Sequence, residues 1–123
     1  MVKNKLLFCG ALLGLASVIM GALGDHALDL NASESESLAT AIRYNMIYAV
    51  LITVLSFLSE EHKFIRLPTI IFTVGTFLFS FSIYTAMVTN IGELTFLTPI
   101  GGVTLMIGWI SLMSLSLSFH QNK

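Results

Sequence analysis

A chain of 123 residues is one domain by length. Hydrophobic residues make up 55% of it and charged residues only 11%, against roughly a quarter in soluble globular proteins, so the composition excludes a soluble fold and points to a membrane protein. The net charge of -1, with no cluster of Lys and Arg, excludes nucleic acid as a partner.

Cys9 is the single cysteine, which rules out an intrachain disulfide and a cysteine-based metal site. Phe8 stands where a lipidated cysteine needs a small residue before it, so Cys9 reads as a buried thiol. The apolar run from Leu6 to Leu23 is about 18 residues, longer than the 7 to 15 of a cleavable leader, and is expected to be a retained first span.

That span is expected over about 6–24. Gly10, Gly14, Ser17, Gly21 and Gly24 recur every three or four residues and share one helical face, the pattern that lets helices approach closely in lipid. Asp25 and His26 end the span, and an acidic connection follows from Asp29 to Ser37. Ser33 with Glu36 three residues later fits a capping box, so the second helix is expected to start outside the membrane and to enter it near Thr40. Its unbroken apolar stretch, Tyr44 to Leu58, has about 15 residues where roughly 20 are needed to cross, so the span of about 40–58 must include Arg43 or let it snorkel.

A polar hairpin carrying Glu60, Glu61, His62, Lys63 and Arg66 leads to the third span, about 67–88, with Pro68 in its first turn. Thr69, Thr73, Thr76, Ser80 and Tyr84 line one face of it, as hydroxyls that bond back to their own helix or across to a neighbour. After a loop holding Glu93, Thr98 and Pro99 form an N-cap and first-turn pair for the last span, about 99–119. Gly101, Thr104, Gly108, Ser111 and Ser118 give it a second small-residue face, and Trp109 near mid-span reads as a packing residue. His120 and Lys123 close the chain.

The expected architecture is all-α: a four-helix transmembrane bundle, its second helix extended beyond the outer face. Four spans put both termini on one side, with Lys3, Lys5, Lys63, Arg66 and Lys123 there and Arg43 alone opposite, so the positive-inside rule makes the termini cytoplasmic.

Helix rise converts position into depth. Arg43 lies about 22 Å above Leu58 and Asp25 about 28 Å above Leu6, so the two are close in height near the outer boundary. An Arg in hydrocarbon costs at least about 2.5 kcal/mol unless paired or hydrated, which makes Asp25 its expected partner. With Thr40, Tyr44 and Tyr48 on one face of the second helix, the candidate polar cluster is Asp25, His26, Arg43, Tyr44, Tyr48 and Tyr84, while Asn45 is expected to point elsewhere. Such a cluster either fixes helix register at the interface, where Tyr is enriched anyway, or receives a ligand or ion.

Gly21-Ala22-Leu23-Gly24-Asp25-His26-Ala27-Leu28, Thr40-Ala41-Ile42-Arg43-Tyr44, Phe79-Ser80 with Ser82 and Tyr84, Thr98-Pro99-Ile100-Gly101-Gly102 and Gly108-Trp109 resemble, in order and over nearly the whole chain, the YgdD and YwdK-like family of small bacterial inner-membrane proteins. The resemblance implies a four-helix integral protein of the bacterial inner membrane with no established catalytic residues. The family pattern commonly has Ala at Asp25, Gln at Asn45, His at Tyr48 and Gly at Phe81, so His26 gains no second intramembrane imidazole and the Asp25 to Arg43 pair would be particular to this sequence.

Three function classes compete. A non-catalytic structural or accessory component, held in the lipid bilayer and associating with itself or a larger membrane complex through its glycine faces, fits the two small-residue seams. A small oligomeric transporter or channel with a polar outer site is the alternative, although the carboxylate that a proton-coupled carrier needs deep in its first span is missing between Leu6 and Gly24. An enzyme is the weakest: no nucleophile stands with a base and an orienter at recognisable spacing, and neither a metal-ligand set nor a phosphate-cradling loop is present. No catalytic residue, metal or cofactor is expected.

Overall fold

Asn4 sets the start of the first helix, its Oδ1 accepting from the Leu7 N–H at 3.0 Å. The computed structural model describes residues 4–26, 29–89, 91 and 95–121, with side chains to 117. The Gly21 to Leu28 motif is therefore seen only to His26, while Lys3, Glu93, Lys123 and the side chains of Ser118 and His120 lie outside the described residues. From Asn4, α1 runs over Lys5–His26.

The second helix, α2, covers Ala32–Glu61, 30 residues or about 45 Å at 1.5 Å per residue, against a hydrocarbon layer of roughly 30 Å. It extends well past the apolar layer, as its acidic first turns require. Its capping box is formed by Asn31 and Glu34, not by Ser33 and Glu36: the Glu34 N–H donates to Asn31 Oδ1 at 2.8 Å and the Asn31 N–H to Glu34 Oε1 at 3.1 Å. Asn-x-x-Glu satisfies the same reciprocal geometry two residues earlier and lets the helix keep two more backbone bonds.

The third span, Lys63–Thr89, is not one regular helix. A short 3-10 turn precedes α3 (Arg66–Thr76), a π-helical turn covers Phe77–Phe81, and α4 (Ser82–Thr89) completes the crossing. A π turn widens the helix and loosens its carbonyl ladder. Ser82 Oγ donates to the carbonyl of Phe79, within the turn, at 3.0 Å. Because that hydroxyl has one proton, the 2.6 Å contact between Ser82 Oγ and Thr98 Oγ1 has Thr98 as donor.

The last helix, α5, runs over Leu97–Gln121 and so begins two residues before Pro99. Thr98 is not its cap: the hydroxyl is turned onto Ser82, across to α4. Among the described residues four helical segments are long and apolar enough to cross a membrane.

The spans lie side by side in the order α1, α2, third span, α5, with the main interfaces between successive members. Among the described residues α1 and α5 make no substantial contact with each other, so the bundle is open along one side. The seam of α2 explains why this helix is central. Leu38, Ala41, Asn45, Tyr48, Ile52, Leu55 and Ser59, alternately three and four residues apart, are all buried, a heptad-type stripe wide enough to hold a neighbour on either flank.

Two glycines set the closest approaches. A Cβ on Gly10 would stand 2.6 Å from Thr53 Oγ1, so α1 can settle on α2 only without one. A Cβ on Gly101 would stand 2.8 Å from Phe79 Cα and 2.9 Å from the Gly75 carbonyl, which brings α5 against the backbone of the π turn. Gly108 makes room for the Phe72 ring in the same interface, while Gly14 meets only Ala49, Gly24 meets Leu38 and Gly21 meets nothing within 4 Å. The small-residue face of α1 thus belongs to α2, and that of α5 to the third span.

Candidate functional site

Polar side chains within the apolar layer tie the spans together pairwise. Asn45 is fully buried on the α2 seam and donates through Nδ2 to the Tyr84 hydroxyl at 2.7 Å. Four residues earlier on the same helix, the Ala41 carbonyl accepts from Ser80 Oγ at 3.1 Å. Ser80 lies within the π turn and Tyr84 three residues beyond it, so α2 is bonded to the third span inside and just after its irregular segment. One turn further along α2, the Tyr48 hydroxyl accepts from the Trp109 indole N–H of α5 at 2.7 Å. Phe72 packs between them, stacked on Tyr48 with centroids 5.6 Å apart and edge-on to Trp109 at 5.1 Å.

Thr69, Thr73 and Thr76 bond back to the carbonyls four residues earlier at 2.7 to 2.8 Å, which satisfies their hydroxyls without a partner helix. The hydroxyl face of the third span therefore divides between back-bonding in α3 and bonds across to α2 and α5 beyond it. Asn45 Oδ1 alone is a buried side-chain oxygen or nitrogen without a hydrogen-bond partner among the described residues.

The six residues expected to cluster are distributed over two places. Tyr48 and Tyr84 are buried in the interhelical network. Asp25 and Arg43 are exposed and share an open groove of about 330 Å³ between the end of α1 and the first half of α2, with Gly24, Leu38 and Ile42 in its wall. They form no ion pair there. Their similar height is as calculated, but height does not set direction around the helix, and both side chains turn outward. His26 is exposed at the last residue of α1. Tyr44, 41% exposed, borders the network: its ring centroid lies 6.4 Å from that of Tyr48 and, edge-on, 5.2 Å from that of Phe79.

Asn45 does not point elsewhere, as its place beside Arg43 suggested, but into the centre of the network. The signal that locates it is the alternating three-four spacing from Leu38 to Ser59, in which Asn45 is the one amide. Trp109 likewise combines packing with a hydrogen bond.

Chemically, the interior offers amides, hydroxyls and an indole, groups suited to fixing register and neutral near pH 7. The groove between α1 and α2 offers one carboxylate and one guanidinium to whatever enters it. Among the described residues no group of three His, Cys, Asp or Glu side chains is placed to hold a metal ion.

Comparison with known proteins places these features. Residues 20–102, which include most of the interhelical network and the whole outer groove, match the family model described as "Protein of unknown function (DUF423)". A UPF0382 membrane protein of Haemophilus influenzae is 38% identical over 115 residues, covering 90% of this chain and 92% of its own. The UPF0382 membrane protein YwdK of Bacillus subtilis is 33% identical over 109 residues, covering 85% and 89% respectively. The UPF0382 inner membrane protein YgdD of Escherichia coli K12 is 28% identical over 113 residues, covering 89% and 86%. No solved structure matches the chain. A four-span bundle with this motif order, matched along most of its length by these bacterial proteins, belongs to the DUF423 family of UPF0382 membrane proteins.

Proposed function

We propose that the chain is a non-catalytic accessory component of the bacterial inner membrane, with cytoplasmic termini, that works by associating with itself or with a larger membrane complex. The observation that carries this reading is the open arrangement of the spans: α1 rests on α2, α5 rests on the third span, and each is left with one flank uncovered. Only 22% of the α1 window and 17% of the α5 window is buried, against 50% for the third span. The interior supports the same reading, because its bonds from Asn45 to Tyr84, Ser80 to the Ala41 carbonyl, Thr98 to Ser82 and Trp109 to Tyr48 act as interhelical ties. The placement in the inner membrane follows the printed name of the Escherichia coli relative.

The test is the mass of the particle extracted from native membranes in polymer nanodiscs. More than one copy, or one copy with a stoichiometric partner, is the expected result. A single chain alone in the disc would remove the basis of the proposal.

A small oligomeric transporter is the second reading, favoured by the outer groove with its two opposite charges, which form no ion pair among the described residues. Substrate flux into vesicles that falls with Arg43→Ala but not with Lys63→Ala would select it over the first.

A further inference from the structure

At the end of the bundle where the chain starts, α1 begins, α2 ends and α3 begins. The three meet around a groove of about 390 Å³ whose wall includes Asn4, Lys5, Leu6, Glu60, Arg66 and Ile70. Asn4 closes its inner side: while Oδ1 caps α1, Nδ2 donates to the Ser56 carbonyl at 3.3 Å and to Glu60 Oε1 at 3.1 Å. The Glu60 carboxylate is thereby held on an amide. Lys5 and Arg66 are exposed and form no ion pair among the described residues, so the groove carries two cations against one carboxylate that already has a donor.

The groove is also ordered by depth. Lys5 and Arg66 stand at or near the starts of two apolar spans, and basic residues flanking such a span sit at the headgroup level. Ile70 is one turn further into α3 than Arg66, and Leu6 is the first apolar residue of α1. Cations at the rim and apolar side chains next to them repeat the sequence of groups in a phospholipid. The geometry points to a binding site for one anionic phospholipid, with its phosphate between Lys5 and Arg66 and the start of an acyl chain along Leu6 and Ile70.

Charge decides the class of lipid. A choline head would bring its ammonium beside two cations and leave the lipid with no net charge, whereas a glycerol head adds no positive group and leaves the phosphate's charge uncompensated, and each basic residue near an anionic headgroup strengthens its retention about fivefold. The apolar half of the groove decides against a free phosphate ion, which has nothing to place there. The inference does not depend on the accessory role.

The test uses the full chain in a mild non-ionic detergent, titrated with phosphatidylglycerol or phosphatidylcholine of the same acyl chains, with bound lipid counted by native mass spectrometry. The expected result is selective retention of phosphatidylglycerol. Lys5→Gln and Arg66→Gln each lower that preference about fivefold and the double variant about twenty-five-fold, while Arg66→Lys keeps it. Ile70→Trp, which fills the apolar half and leaves both charges, also lowers it. Lys63→Gln, a cation at the same end outside the groove, leaves it within about twofold. Helical content by circular dichroism identifies any variant that has lost its fold, and the preference of the unaltered chain needs no variant. Equal retention of the two lipids, an effect of Lys63→Gln equal to that of Arg66→Gln, or displacement of the lipid by inorganic phosphate would overturn the assignment.

Discussion

The side-chain amide of Asn45 and the hydroxyl of Tyr84, 39 residues apart in sequence, meet at 2.7 Å between α2 and α4. In hydrocarbon neither group has water as an alternative partner, so the bond joins the central helix to the third span where that span has just left its π turn. A double-mutant cycle with Asn45→Ala and Tyr84→Phe should give a coupling of about 1 kcal/mol, within the range of interhelical bonds in membranes. Unfolding followed by helicity in mixed micelles measures it, and additive losses would mean that the contact contributes no net stability.

Trp109 is the single tryptophan and donates to Tyr48, which makes its emission a reporter on the α2 to α5 contact. Tyr48→Phe removes the acceptor but keeps the ring stacked on Phe72. The emission of Trp109 should move to shorter wavelength, at a stability cost of about 1 kcal/mol. An unchanged spectrum would place the indole N–H with another partner.

Two glycine substitutions should differ in sign or size. Gly101→Ala drives a methyl into the backbone of Phe79 and should cost about 1 to 3 kcal/mol, the range for overpacking. Gly21→Ala meets nothing within 4 Å and should be neutral or stabilising by up to about 1 kcal/mol, because it trades a flexible helix residue for a good helix former. Thermal unfolding in one detergent compares the two directly.

Reading depth alone makes Asp25→Ala the most damaging change at the outer rim, since it would leave an intramembrane Arg43 unpaired. With both side chains exposed and no ion pair between them, the expectation becomes a change within about 0.5 kcal/mol for Asp25→Ala and for Arg43→Ala alike. A loss of several kcal/mol in either variant would show that the pair forms in the membrane.

These outcomes separate what the sequence makes legible from what it hides. The four spans follow from unbroken apolar runs, and the glycine faces of α1 and α5 follow from spacing, because 3.6 residues per turn fixes which residues share a side. Spacing also fixes height, so Asp25 and Arg43 share a groove as their depths require. Which way a face turns depends on the neighbouring helix, so spacing alone yields an Asp25 to Arg43 pair that does not form and points Asn45 away from the network it joins. The π turn at Phe77–Phe81 has no local signature: it accompanies the approach of Gly101 from a helix about twenty residues further on, and Ser82 donates to its Phe79 carbonyl. The helix starts erred for a related reason. Asn31 and Ser33 both suit a cap, and Thr98, the evident cap of α5, has its hydroxyl bonded to α4 instead.

The accessory reading depends on the uncovered flanks of α1 and α5 meeting another chain. Single cysteines at Ile19, Ile110 or Met113, all exposed, and at buried Leu105 can be placed in a Cys9→Ala background and crosslinked with a short bis-maleimide in native membranes. The account predicts a discrete higher-mass band from an α1 or α5 flank position and none from Leu105. Flank positions that crosslink no more than the buried control would contradict it.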